Sequence, residues 1–363
     1  MKLTISTSQL QELVTRAIKG SSNNKLIPLT SLMAIEVNEV HQLVLRTTDA
    51  SNYLTVILDK VASDPFYVVV QTEQFSKLVL NLRTETVALE LKDDVLEVSA
   101  GGSNYKIELP LDEEGQLIKF PVPKFDFENA TKTDINLSTI HTILTTAKSA
   151  LATSLDVPCY TGYYLGESVV ATDTFKICGM GIKLFDKPVL ISSEMMNLLD
   201  TITDEKIEAF RKDNELCFVT PAITIIGKEL EGIDEYAIEP ITGLLESEFT
   251  SSCSVPKNEL LQALDRLSLF VGQYDKNGIY LTFTRTGLML TSKKSNGNEV
   301  IEYTSSENFK DYTCCIDIEM FKSQIKAHVS DAAIKIYYGL DNCIKMTEGN
   351  VTQIIALIED DRA

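Results

Sequence analysis

A strand, an amphipathic helix and a hairpin follow one another between residues 187 and 227, and this plan, which recurs, limits most what the chain can fold into. Residues 188–191 are a short apolar run, and Ser192 or Ser193 can accept the free N–H bonds of the helix that follows. Met195, Leu198, Leu199 and Ile202 fall at offsets 0, 3, 4 and 7, which places all four on one helical face for burial. Residues 206–210 and 216–219 mix apolar and polar positions, and Lys212, Asp213 and Asn214 between them supply a hairpin turn.

The unit occurs twice more. Phe75, Leu78, Val79 and Leu82 repeat the stripe 120 positions earlier, followed by Val87, Leu89 and Leu91, a turn at Lys92, Asp93 and Asp94, and an apolar run over 95–98. Downstream, Phe321 and Ile325 open a shorter stripe, then come Ile334, Ile336 and Tyr338, a turn at Asp341 and Asn342, and Ile344 and Met346. A second helix series agrees: Leu10, Leu13, Val14 and Ala17; Ile140, Ile143, Leu144 and Ala147; Leu260, Ala263, Leu264 and Leu267. Ser8 with Gln11 reads as a capping box, and Pro256 suits the start of the last of these helices. The spacing is too long for a solenoid and right for tandem domains. The expectation is an α+β chain of three similar domains, 1–121, 127–245 and 249–363, each with two helices packed on antiparallel sheets.

No apolar run approaches the ~20 residues that span a bilayer, and the opening has no signal-peptide core, so a cytoplasmic protein is expected. Seven cysteines without close regular spacing fit reduced, buried thiols. Cys314-Cys315 lacks a neighbouring His or Cys set for zinc and a placed base for nucleophilic attack. Asp93 and Asp94 face apart on a turn, and His41, His141 and His328 share no metal spacing. We therefore expect no catalytic residues, no metal and no cofactor.

The net charge of −19 argues against a nucleic-acid partner until its distribution is considered. The six helical segments carry nine basic and eight acidic residues, so the excess negative charge lies on strands and loops. Such a chain can offer DNA its helices and repel it elsewhere; ordinary solvated helix faces would give the same count.

In chain order, 43–58 reads as strand, turn and strand, 23–28 is a loop carrying Lys25, and PVPKFDF at 121–127 is a proline-punctuated linker. Residues 239–248 form a second linker. The opening MKLTI, the Pro28 loop, ATDTFKI at 171–177 and Asn277-Gly278-Ile279-Tyr280-Leu281 appear in that order on the threefold repeat. With them the whole chain resembles the bacterial DNA polymerase III beta subunit, the sliding clamp, which typically has Ala-Thr-Asp-Gly-His-Arg-Leu at the third of these places.

The resemblance implies the DNA clamp fold, with two chains closing head to tail into a ring whose helices line a hole for duplex DNA. It implies a processivity factor that hydrolyses nothing and tethers a DNA polymerase after a clamp loader opens it, without a membrane role and near the nucleoid. Nearly neutral helices suit sliding, since each neutralised phosphate adds grip. The DNA-facing positions carried over are Lys19, Asn24, Lys25, Lys148, Tyr160 and Lys326. Glu73 and Gln74 stand where the family is basic. The dimer interface would pair an edge strand containing Ser103, Asn104, Tyr105 and Lys106 with one containing Glu299, Ile301 and Glu302, over Phe270 and Val271.

The partner-peptide cleft would combine three segments: Thr172, Thr174, Phe175, Lys176 and Ile177; Pro240 and Leu244; and Ile354, Ile355, Ala356, Leu357 and Ile358. Thr174 replaces the family's Gly, and Glu359, Asp360 and Asp361 replace a basic ending, so a peptide with hydrophobic anchors and a more basic surround is expected. The reading from residues alone leaves open a non-catalytic scaffold that does not encircle DNA.

Overall fold

The computed structural model describes residues 2–92, 94–272, 277–305, 309–330, 332–340 and 342–359. The turn positions Asp93 and Asp341 and the tail residues Asp360 and Asp361 lie outside them.

One order of elements is run through three times. The first pass is β1 (Lys2–Ser6), α1 (Thr7–Ala17), β2 (Leu32–Val37), β3 (Leu43–Thr48), β4 (Asn52–Leu58), β5 (Phe66–Gln71), α2 (Thr72–Asn81), β6 (Thr86–Lys92), β7 (Val95–Ala100) and β8 (Ser103–Glu108). The second is β9 (Thr131–Asn136), α3 (Leu137–Ala147), β10 (Gly162–Leu165), β11 (Val169–Thr172), β12 (Lys176–Met180), β13 (Val189–Ser192), α4 (Ser193–Leu199), β14 (Lys206–Lys212), β15 (Glu215–Val219) and β16 (Ile223–Lys228). After α5 (Ile238–Glu246) comes the third: β17 (Ser251–Pro256), α6 (Lys257–Leu267), β18 (Gly278–Phe283), β19 (Gly287–Ser292), β20 (Asn298–Glu302), a short β21 (Thr304–Ser305), β22 (Tyr312–Asp317), α7 (Ile318–Lys326), β23 (Ala333–Tyr338), β24 (Cys343–Glu348) and β25 (Val351–Ala356).

The chain forms two compact units, Met1–Ile140 with Glu194–Glu229 and His141–Ser193 with Leu230–Ala363. The first holds a four-stranded sheet, β1-β6-β7-β8, and an eight-stranded one, β5-β2-β3-β4-β16-β15-β14-β9. The second holds a nine-stranded sheet, β13-β10-β11-β12-β25-β24-β23-β17-β21, and a four-stranded one, β20-β19-β18-β22. Each large sheet is thus a seam between repeats: β4 meets β16 with Leu54 opposite Ile225, and β12 meets β25 with Ile177 opposite Ile354.

The helical stripes are buried as their spacing predicts, from Leu10, Leu13, Val14 and Ala17 on α1 to Phe321 and Ile325 on α7. Asp317 caps α7, its Oδ1 accepting from the amides of Glu319 and Met320 at 2.8 and 2.9 Å, a contact worth about 1 kcal/mol. Three local expectations are corrected. The Ser8–Gln11 capping box does not form: α1 starts at Thr7, and Gln11 Nε2 donates to the carbonyls of Val79 and Leu82, both at 3.0 Å. That bond serves the end of α2, where carbonyls lack helical partners. The second linker is helical, because Ile241, Leu244 and Leu245 give α5 an apolar side to bury. Ile202 stays buried although α4 ends at Leu199.

All seven cysteines are buried and none forms a disulfide among the described residues. Among the described residues no group of three or more His, Cys, Asp or Glu is arranged to hold a metal, and no helix is long and apolar enough to cross a membrane.

His328 is buried at the end of α7, 3.4 Å from Glu348, while its carbonyl accepts from Lys257 Nζ. Burial pushes its imidazole below the usual 6.5 against the opposing pull of Glu348. The unfolded chain therefore takes up this proton first, and stability falls as pH drops through about 6.5 towards the lower native value. His328→Gln should lose less stability than the wild type between pH 7 and pH 5, measured by urea midpoints at each pH.

Candidate partner-peptide cleft and open strand edges

The Thr172-Asp173 turn is built from its own side chains. Asp173 Oδ1 accepts the amides of Phe175 and Lys176 at 2.9 and 2.7 Å, and Thr172 Oγ1 donates to the Lys176 carbonyl at 2.8 Å while accepting the Thr174 amide at 3.0 Å. Thr48 and Asp49 form the same turn in the first repeat. Thr174 holds φ +77° and Ala50 φ +85°. Left-handed backbone is costly for a β-branched residue, which accounts for glycine in the family pattern. Thr174 and Phe175 are exposed, Phe175 at 58%.

Behind the turn, Ile177, Ile354 and Leu244 come together. They pack with Ile241, Tyr236, Cys343 and other residues on one face of the seam sheet, partly beneath α5. Ile177 and Ile354 are only 6% and 3% exposed, whereas Pro240 and Phe175 are exposed. Lys176 Nζ is already engaged, donating to the Ser149 carbonyl and lying 3.2 Å from Asp173.

The last strand parts company with the rest of the set. Ile355 points to the opposite face and joins the third repeat's core, and Leu357 packs on that core too. The Ala356 amide donates to the Phe175 carbonyl at 2.8 Å, but Ile358 donates to Cys315 at 2.9 Å, drawing the tail towards β22. There Leu357, Ile358 and Glu359 line a separate cavity of about 380 Å³ with Tyr312 and Cys315.

Among the strands that end their sheets are β8, the last strand of the first repeat, and β20, the fourth of the third. Ser103, Asn104, Tyr105 and Lys106 lie on the first, and Glu299, Ile301 and Glu302 on the second. Glu299 is held by Arg266 of α6 at 2.7 and 2.8 Å, and this ion pair keeps its carboxyl below the ordinary value. Phe270 is 49% exposed beside Gly297, whereas Gly20 and Ala150, at the corresponding ends of the first helices of the other repeats, are buried. Val271 is half-buried against the third core.

Residues 1–115 match the family model described as the DNA polymerase III beta subunit, N-terminal domain. The whole chain superposes on the DNA polymerase III beta subunit from Thermotoga maritima and the DNA polymerase sliding clamp from Bacillus subtilis, each with TM-score 0.84, 18% identity and 99% of both chains covered. The beta subunit from Streptococcus pyogenes gives 0.85 at 17% identity over 99% of this chain and 100% of that one. The fold is that of the sliding clamps. No curated protein sequence matches the chain.

On this clamp fold most of the carried-over DNA-facing positions fall into two groups. Lys19, Asn24 and Lys25 are exposed in the first unit; Lys148 and Lys326 are exposed in the second. Tyr160 is instead half-buried, edge-on to Tyr236 with ring centroids 5.1 Å apart. Other helix cations are neutralised by ion pairs: Arg16 with Glu12, Lys77 with Glu73, Lys322 with Asp265. Ile241, Cys343 and Lys345 are the cleft neighbours that sequence reasoning missed. The signal for the first was present, since Ile238, Ile241 and Leu245 recur at helical spacing in the linker.

Proposed function

We propose that this chain is a DNA sliding clamp: two copies close head to tail around duplex DNA and tether a replicative polymerase, with a clamp loader opening the ring. It acts as a processivity factor in the cytoplasm, at the nucleoid, and needs no catalytic group or cofactor. The domains are 1–121, 127–245 and 249–363. The observation that carries the reading is the sheet arithmetic. The fourth strand of one repeat pairs with the last strand of the next at both seams, β4 with β16 and β12 with β25, which leaves β20 and β8 as the one unmatched pair of the same kind.

The closed seams also supply the register of the open one. Aligning the repeats through their paired strands, with Ile35, Leu165 and Leu281 in equivalent places, makes Ser103 equivalent to Ile223 and Val351, and Glu299 equivalent to Val56 and Met180. A second copy would then set Ser103 opposite Glu299, Asn104 opposite Asn298 and Tyr105 opposite Gly297. The edges are antiparallel-ready, with main-chain donors and acceptors unspent.

Retention on closed circular DNA with loss after linearisation tests the clamp; equal retention on both forms would favour a scaffold that does not encircle DNA. A second measurement addresses the helices. Changing Lys19, Lys148 and Lys326 to Glu should cut loading or retention by about tenfold or more at low salt, by removing counterion release at several phosphates. The dimer should persist, since exposed substitutions cost little stability. Unaltered retention across a salt series would place these residues outside the channel.

A further inference from the structure

One straight row crosses the outer face of the nine-stranded sheet. Ile177, Ile354, Lys345, Tyr337 and Ser252 are successive register partners on β12, β25, β24, β23 and β17. Register partners share a face. At ~4.8 Å between strands, Tyr337 lies about 14 Å from Ile177. The first two residues belong to the apolar cleft; the next two change its chemistry. In the adjacent row, Thr352, Thr347, Lys335 and Ser254 follow the same order.

Lys335 Nζ sits 4.9 Å from the Tyr337 ring centroid, and Lys345 Nζ lies 4.8 Å from that of Phe249 and 5.5 Å from that of Tyr337. Lys345 donates to the Ser247 carbonyl at 2.6 Å, just past the end of α5. Among the described residues neither ammonium pairs with a carboxylate, in a chain with 52 acidic and 33 basic residues. Burial pushes the Tyr337 phenol up, yet hydrogen bonds with Lys335 and Thr347 and the two ammonium charges bring it below its usual value. The place is therefore one that favours negative charge.

We propose that Lys335, Lys345 and Tyr337 form a carboxylate subsite continuous with the cleft, so that the docking peptide carries an acidic flank lying across β24 and β23. This rests on the cleft reading above. The ligand is a peptide because both aromatic rings already carry an ammonium over a face, which leaves less ring surface for the base stacking that single-stranded nucleic acid uses. Glu359, the described member of the acidic tail, is drawn off towards β22 and does not belong to this row.

The test uses the full chain and peptides that share one set of apolar anchors but carry an Asp/Glu, a neutral or a Lys flank. The acidic flank should bind about 5- to 10-fold tighter than the neutral one at low salt, the scale of two partly exposed ion pairs. That advantage should disappear in Lys335→Glu and near about 0.5 M salt, with the neutral peptide unaffected by the substitution. Equal affinity of acidic and neutral flanks would overturn the subsite while leaving the cleft standing. Independently, the acidic flank alone at millimolar concentration should shift the amide resonances of Lys335, Tyr337 and Lys345. If anchored peptides fail to bind but these shifts appear, the subsite holds and the cleft reading falls; if neither occurs, both fall. Displacement of the acidic flank by an equimolar oligothymidylate would assign the patch to nucleic acid and overturn the proposal.

Discussion

Changing Phe270 and Val271 to alanine is expected to yield a folded protein of half the native mass. Phe270 follows α6, where the other repeats place Gly20 and Ala150 against their own closed seams; a Cβ on Gly20 would come within 2.6 Å of Leu54 Cβ on β4. In the third repeat the same position carries an aromatic ring that is half in solvent, preceded by Leu269 at 81% exposure. Exposed large apolar side chains beside an open edge suit an interface. Truncating an aromatic anchor there typically removes 2–4 kcal/mol of association, which raises the dimer Kd by roughly 30- to 1,000-fold. Sedimentation over a dilution series reads the mass. Phe270→Ala alone should leave the melting temperature nearly unchanged, and Val271→Ala should lower it by a few degrees, because Val271 also touches the third core. A dimer mass unchanged on dilution would remove this contact from the interface.

The second large effect is expected at the cleft. Ile177→Asp buries a carboxylate among Ile241, Leu244 and Ile354 without a partner, a change that costs several kcal/mol unless the group is protonated. Peptide binding should fall by at least about 100-fold, but lost stability could produce the same result. Phe175→Asp separates the two. Phe175 is exposed on the turn, so its substitution should leave the melting temperature within about 2 °C of the wild type and still weaken an apolar peptide by about tenfold. Wild-type affinity in a folded Phe175→Asp protein would move the binding site away from the Thr172 turn.

The helices were legible because one repeating cue, an apolar residue every three or four positions, is local and survives divergence; Leu10, Ile140 and Leu260 all mark buried faces. Hairpins such as β14 and β15 were legible for the same reason, with Asp213 at φ +52° in their turn. The α5 helix was hidden by Pro240 and Gly243, which read as linker composition although proline is tolerated in a first helical turn. The sheet seams were beyond local pattern altogether. β4 and β16 lie far apart in sequence, and nothing in either strand names its partner, since an alternating strand pairs equally well with many others. At the cleft, the resemblance brought Ile177, Leu244 and Ile354 to one place, whereas Ile355 was separated from them by the alternation of a strand. The bond from Ile358 to Cys315 could be read only in three dimensions.

The two seams also decide how far this protein is modular. The middle repeat gives β14, β15, β16 and β9 to one large sheet and β10, β11, β12 and β13 to the other. A gene fragment cut at the 121–127 linker would carry β4 as a bare edge, and one cut near α5 would strip β12 of β25. Such edges invite promiscuous pairing rather than independent folding. The copy that looks most expendable in the sequence, the one in the middle, is the one whose loss leaves neither large sheet whole.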